Sequence, residues 1–126
     1  MSASKTLDEI RAEVTRFRDD RNWKQFHNPK DLAISISLEA AELLEVFQWS
    51  GTDLTAADKK DKIAEELADI LNYCFLMADA AGLDVGEIIE KKIQINGEKY
   101  PVEAAYGNKA KYTELKAGSR QTEDEA

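Results

Sequence analysis

A chain of 126 residues with 43% apolar content is sized for one modest globular core, and no run approaches the ~20 apolar residues that span a bilayer. Its 25 acidic against 17 basic side chains give a formal charge of -8, which disfavours broad binding to nucleic acid or anionic membrane. Cys74 is the only cysteine, so an intrachain disulfide and a multi-cysteine zinc site are excluded.

The N-terminal MSASKTLDEIRAEV has no basic stretch followed by an apolar secretion segment, and with one cysteine it predicts a soluble, cytoplasmic protein. The first periodic segment runs from about Thr6 to Asn22. Leu7, Ile10, Val14 and Phe17 recur at helical spacing, and Asp8, Glu9, Arg11, Arg18 and Asp19 are expected on a polar surface. Thr6 followed by Glu9 has the form of a capping box. In RNWKQFHNP the helical pattern fades, and Pro29 suits the first turn of a second helix, expected over Pro29 to Trp49.

Apolar residues surround much of the axis of that second helix, which therefore needs partners on several sides. SGTDLT reads as a loop, and a third helix is expected from Ala56 to Ala81, with Gly82 as its stop. A fourth starts near Asp84 and weakens near Gly97, followed by a turn or short helical piece in YPVEAAYG. The tail KAGSRQTEDEA has little to bury. The expectation is an all-α, four-helix-bundle-like domain over residues 1–115 and a disordered acidic tail over 116–126. Four helices of this length offer too little interior to conceal all these apolar faces, which predicts a dimer or larger assembly.

Two acidic pairs sit inside these apolar helices: Glu39 and Glu42 in ISLEAAELLEVF, and Glu66 and Asp69 in IAEELADILNY. Residues three apart share a helical face, so each pair presents two carboxylates together, and that face is expected to look inward. A cluster of ionised carboxylates removed from water needs compensation, and a divalent cation supplies it. An all-oxygen site suits Mg²⁺ or Mn²⁺, ions that commonly act on phosphate groups. The loop between the second and third helices can return one pair beside the other. The alternative is an ordinary solvated acidic face.

Glu45 extends the first acidic surface either as a metal or water-positioning residue or as a group solvating the helix edge, whereas Glu65, about a third of a turn from Glu66, is expected outside the metal's direct ligands. Asn72 and Tyr73 continue the wall, and the Tyr73 phenol can donate to phosphate. His27 precedes the second helix as a substrate contact or a packing residue, since one histidine without cysteine is poor zinc chemistry. Trp23 and Trp49 can stack on a nucleobase or anchor an interface. Lys92 and Asn96, four apart, can meet a phosphate and a sugar or base from one helical face, with Lys99 and Tyr100 continuing the set. Lys91, Lys92, Lys99, Lys109 and Lys111 are available for a local basic pocket. GNK and GEK lack the arrangement of a Walker phosphate loop.

Glu39-Ala40-Ala41-Glu42 and Glu66-Leu67-Ala68-Asp69, with RNWKQFHNPKDL, ELLEVFQW, EELADILNY, KIQINGEKYPVE and KYTEL, give the stretch from Leu7 to Leu115 an ordered set of motifs. On these the chain resembles the MazG-like all-alpha nucleoside triphosphate pyrophosphohydrolases, and within them the dCTP pyrophosphatase branch. The resemblance implies hydrolysis of a nucleoside triphosphate to monophosphate and pyrophosphate, with Mg²⁺ at Glu39, Glu42, Glu66 and Asp69. It also implies a homotetramer built from helical dimers, a cytosine deoxynucleotide (dCTP or a 5-modified form) as substrate, and a nucleotide-pool housecleaning role. Trp23, His27, Trp49 and Tyr73 fall in matching substrate-pocket motifs, and Lys92 and Asn96 in the matching later helix. Asn72 and the compact SGTDLTAADKKD connection depart from the branch pattern and bear on base selectivity and pocket closure. The competing expectations are a broad NTP or dUTP/dUDP pyrophosphatase and a non-catalytic, cation-binding oligomerisation module.

Overall fold

The computed structural model describes residues 4–108; the tail over 116–126, the KYTEL motif, Lys109 and Lys111 lie outside them. All regular structure among the described residues is helical: α1 Leu7–Asp20, α2 Pro29–Glu45, α3 Lys60–Ala80, α4 Val85–Lys99 and α5 Val102–Ala105, with short 3-10 helices at Lys24–Phe26 and Ala57–Lys59. No described helix is long and apolar enough to cross a membrane. The chain divides into two compact units, the first ending at Val85 and the second beginning at Gly86.

In the first unit, α3 packs against α2 and α1. α1 begins in the expected capping box: the Glu9 backbone N–H donates to Thr6 Oγ1 at 3.2 Å, and the Thr6 backbone N–H donates to Glu9 Oε1 at 3.5 Å. It ends two residues before the expected Asn22, because Asn22 adopts a left-handed φ of 53°, which asparagine tolerates better than most residues. Asn28 caps α2 by accepting the Asp31 backbone N–H at 2.9 Å, and Pro29 enters the first turn as its fixed φ favours.

α2 stops at Glu45, short of the expected Trp49. The N–H groups of Val46, Phe47 and Gln48 each bond three residues back, so the chain tightens into turns instead of continuing the α-helix. Ala56 is buried and left-handed (φ 44°, ψ 49°), which removes it from α3 and moves that helix's start to Lys60. Asp53 Oδ1 holds this bend, accepting the backbone N–H groups of Thr55 and Ala56, each at 3.1 Å. At the other end Gly82, with φ 70°, stops α3 as expected.

Leu32, Val46, Ala56, Leu76 and Ala78 form the buried apolar core. Cys74 is half-buried, and burial pushes its thiol pKa up, in keeping with a packing role. Ile34, Leu38, Leu44, Trp49 and Leu54 are exposed on the single chain. Arg18 departs from the expected polar surface: it is only 4% exposed. Its position four residues after Val14 puts it on the inward stripe, and Asp79 supplies a countercharge there.

The second unit holds nearly all of α4 and all of α5. α4 continues through Gly97 to Lys99, beyond the expected weakening, and α5 is the short helical piece in YPVEAAYG.

Candidate active site

α2 and α3 bring the two acidic pairs together. One carboxylate oxygen from each of Glu39, Glu42, Glu66 and Asp69 lies within 4.8 Å of those of the other three. The expected inward orientation is graded: Glu66 is buried at 4% exposure, Glu39 and Asp69 are half-buried, and Glu42 is exposed. Glu45 and Glu65 are exposed and outside this group of four.

The electrostatics follow from crowding. Hydrogen bonding with Glu39 and then Glu66, together with the charge of Glu39, pushes the Glu42 carboxyl up to about 7. Glu66 moves the other way, because Lys62 Nζ donates to its Oε1 at 2.9 Å and favours the ionised form. Glu39 Oε2 and Glu66 Oε2 are buried without a hydrogen-bond partner among the described residues. Buried anionic oxygens left unpaired are costly, and an oxygen-seeking divalent cation between the two helices would satisfy both.

Beside Asp69 opens a cavity of about 510 Å³. Ile10, Val14, Phe17, Trp23, Tyr73 and Leu76 supply its apolar and aromatic wall, while Glu13, Arg18, His27, Asp69 and Asn72 supply polar groups. Phe17 and Trp23 meet edge to face, with ring centroids 5.9 Å apart, and the Arg21 guanidinium lies 3.5 Å over the Phe17 ring. Such a wall suits a planar aromatic ring, and its opening beside the carboxylates suits a ligand with an anionic end bridged through a cation.

His27 Nδ1 is buried with no hydrogen-bond partner among the described residues. Burial first, and then the nearby Arg18 charge, lowers the His27 pKa, so the ring is neutral at physiological pH and offers one donor and one acceptor nitrogen.

Of the expected ligand contacts, Trp23, His27 and Tyr73 line the cavity together with Asn72. Trp49 does not line it and is 84% exposed in the turns after α2. Lys92, Asn96 and Lys99 lie on α4 and Tyr100 directly after it, all in the second unit. Sequence reasoning missed Ile10, Glu13, Val14, Phe17, Arg18 and Leu76 as cavity residues. Ile10, Val14 and Phe17 read locally as an ordinary apolar stripe, and the cavity arises only where α1 packs against α3.

A family model described as the MazG-like family matches residues 34–115, a span that contains all four clustered carboxylates. The chain is 34% identical over 130 residues to dCTP pyrophosphatase 1 of Homo sapiens, covering 99% of this chain and 76% of that protein. It is 32% identical over 123 residues to the Mus musculus protein of the same name, covering 94% and 72%. Among solved structures, a pyrophosphatase from Archaeoglobus fulgidus superposes with a TM-score of 0.69 at 36% identity, over 80% of this chain and 97% of that one.

Proposed function

The chain belongs to the MazG-like family and is a nucleoside triphosphate pyrophosphohydrolase, and we propose that it splits dCTP or a related cytosine deoxynucleotide into the monophosphate and pyrophosphate with Mg²⁺. The observation that carries this reading is the juxtaposition of four carboxylates with an aromatic-walled cavity that shares Asp69 with them.

In this reading Glu39, Glu42, Glu66 and Asp69 hold the cation, with Mn²⁺ as an alternative to Mg²⁺. The all-oxygen donor set and the two orphaned buried oxygens support that assignment. The cation, when bound, neutralises phosphate charge and polarises the attacking water. The protein's own contribution is positional. Trp23 and Tyr73 confine the base, neutral His27 and Asn72 offer it hydrogen bonds, and the rigid α2–α3 pair fixes the phosphates relative to the carboxylates. Water attacks at phosphorus, the bond between the α- and β-phosphates breaks, and pyrophosphate leaves. Trp49 is assigned to substrate contact on the motif resemblance, and Glu45, from its spacing after Glu42, to an additional metal or water-positioning role. Lys92 and Asn96 are assigned to phosphate and to sugar or base contact on the motif resemblance, and Lys99 and Tyr100, by their position after them, to additional contacts.

Housecleaning of the nucleotide pool in the cytoplasm, by a homotetramer built from dimers, completes the proposal. The exposed Ile34, Leu38, Leu44 and Leu54 support self-association. A broader NTP or dUTP/dUDP range is the second reading.

The test is chromatographic product analysis across canonical and 5-substituted nucleoside triphosphates, with Mg²⁺ and Mn²⁺ tested separately. Monophosphate plus pyrophosphate, formed fastest from cytosine deoxynucleotides, is the expected result. Diphosphate plus phosphate would overturn the reaction class, and intact substrate throughout would leave a cation-binding oligomerisation module.

A further inference from the structure

Lys62 stands one helical turn before Glu66 on α3, and its side chain is about half exposed, whereas that of Glu66 is only 6% exposed. Nζ donates to Glu66 Oε1 at 2.9 Å, while its approach to Glu65 Oε2, at 3.6 Å, is too long for a hydrogen bond. A lysine that precedes its glutamate is the weaker order for a pair on an isolated helix, so helix electrostatics alone do not select this geometry. The Glu66 carboxylate is thereby split: Oε1 is engaged by Lys62, Oε2 is buried without a hydrogen-bond partner among the described residues, and Glu66 contributes one oxygen to the group of four.

We infer that Lys62 is a positioning residue that makes Glu66 a one-oxygen ligand, and so biases the carboxylate cluster toward Mg²⁺ over Ca²⁺. The inference rests on the reading of the cluster as a cation site. Mg²⁺ requires near-octahedral coordination at short distances and takes carboxylates through single oxygens, whereas Ca²⁺ is larger and accepts both oxygens of one carboxylate. With Oε1 held by an ammonium, a turn of Glu66 that offers both oxygens to one ion weakens that hydrogen bond, which biases the carboxylate toward its present orientation. Groups that hydrogen-bond a metal ligand from outside fix its orientation in this way, and their loss alters metal affinity.

Charge and orientation make different predictions. Removing the Lys62 charge alone strengthens the site for Mg²⁺ and Ca²⁺ together, since both carry the same charge, and leaves their ratio unchanged. Freeing the carboxylate to rotate favours Ca²⁺ selectively.

The experiment loads the full-length protein with Mn²⁺, reads the bound ion by electron paramagnetic resonance, and displaces it with Mg²⁺ or Ca²⁺ in the wild type, Lys62→Met and Lys62→Gln. In Lys62→Met the Mg²⁺-to-Ca²⁺ affinity ratio is expected to fall roughly tenfold, the lower end of the range for loss of a ligand's outer hydrogen bond. Lys62→Gln, which retains a neutral donor, is expected to recover part of the ratio. Bound Mn²⁺ with an unchanged ratio in Lys62→Met overturns the positioning role and leaves the cation site standing. Absence of Mn²⁺ binding in the wild type overturns both.

Discussion

Arg18 on α1 donates from Nη1 to Oδ2 of Asp79 at 2.5 Å, joining the helix that supplies one cavity wall to the last turns of α3. The guanidinium is almost wholly buried and also bonds Asp19 through Nε at 2.9 Å, so the pair fixes α1 by charge as well as by packing. Removing one partner of a buried ion pair leaves the other charge without compensation. Because Asp19 remains and Asp79 is partly exposed, Asp79→Ala is expected to cost about 2 kcal/mol, below the full buried-pair penalty. Urea denaturation measures it, and an unchanged midpoint would show that Arg18 is satisfied without Asp79.

Substituting a clustered carboxylate tests the chemistry more directly. Glu42→Gln and Asp69→Asn each keep shape and remove charge, and turnover is expected to fall on the order of a hundredfold, the size of losing one well-placed electrostatic contact. Steady-state rates at saturating Mg²⁺ give the answer. Wild-type kcat in either variant would remove that residue from the machinery.

The raised pKa of Glu42 gives a pH dependence with a definite sign. A carboxyl whose pKa is higher in the folded state favours folding while protonated. In the metal-free protein that contribution is complete below the ordinary value of 4.5 and is lost as pH rises through about 7. Cation binding needs the ionised form, so Mg²⁺ titrated at about pH 6 should expel a proton that is largely absent already at about pH 8. Calorimetry in buffers of different ionisation enthalpy reads the proton count. Equal release at both values would contradict the raised pKa of Glu42.

Trp23, part of the aromatic wall, predicts a split between the kinetic constants. Stacking on a base contributes about 1–3 kcal/mol, so Trp23→Ala is expected to raise KM roughly tenfold with a smaller change in kcat. Trp23→Phe should restore most of the affinity. An unchanged KM in the alanine variant would assign Trp23 to packing against Phe17 alone.

Sequence patterning carried much of the architecture. The capping box at Thr6, Pro29 in the first turn of α2 and Gly82 after α3 are local signals with direct steric or hydrogen-bonding causes, and each appears where the residues predict it. The acidic pairs were legible because carboxylates three apart in an apolar helix demand an explanation. The expected bounds failed where a single backbone conformation overrides periodicity: Asn22 and Ala56 are left-handed, and the turns over Val46 to Gln48 close α2 early. Arg18 was misplaced because a basic residue on an apolar stripe becomes buried only when a distant acid meets it, and Asp79 is 61 positions away. The cavity was illegible for the same reason, since α1 and α3 create it by packing.

The bend at Asp53 and Ala56 sets the angular phase of everything downstream on α3. A residue inserted within α3 between Lys60 and Glu66 would rotate Glu66 by about 100° relative to the turn before it, whereas one added in the loop ahead of Asp53 is taken up by the loop. The bend that ends the link therefore matters to the acidic cluster through where it starts α3, and the number of residues ahead of it matters far less.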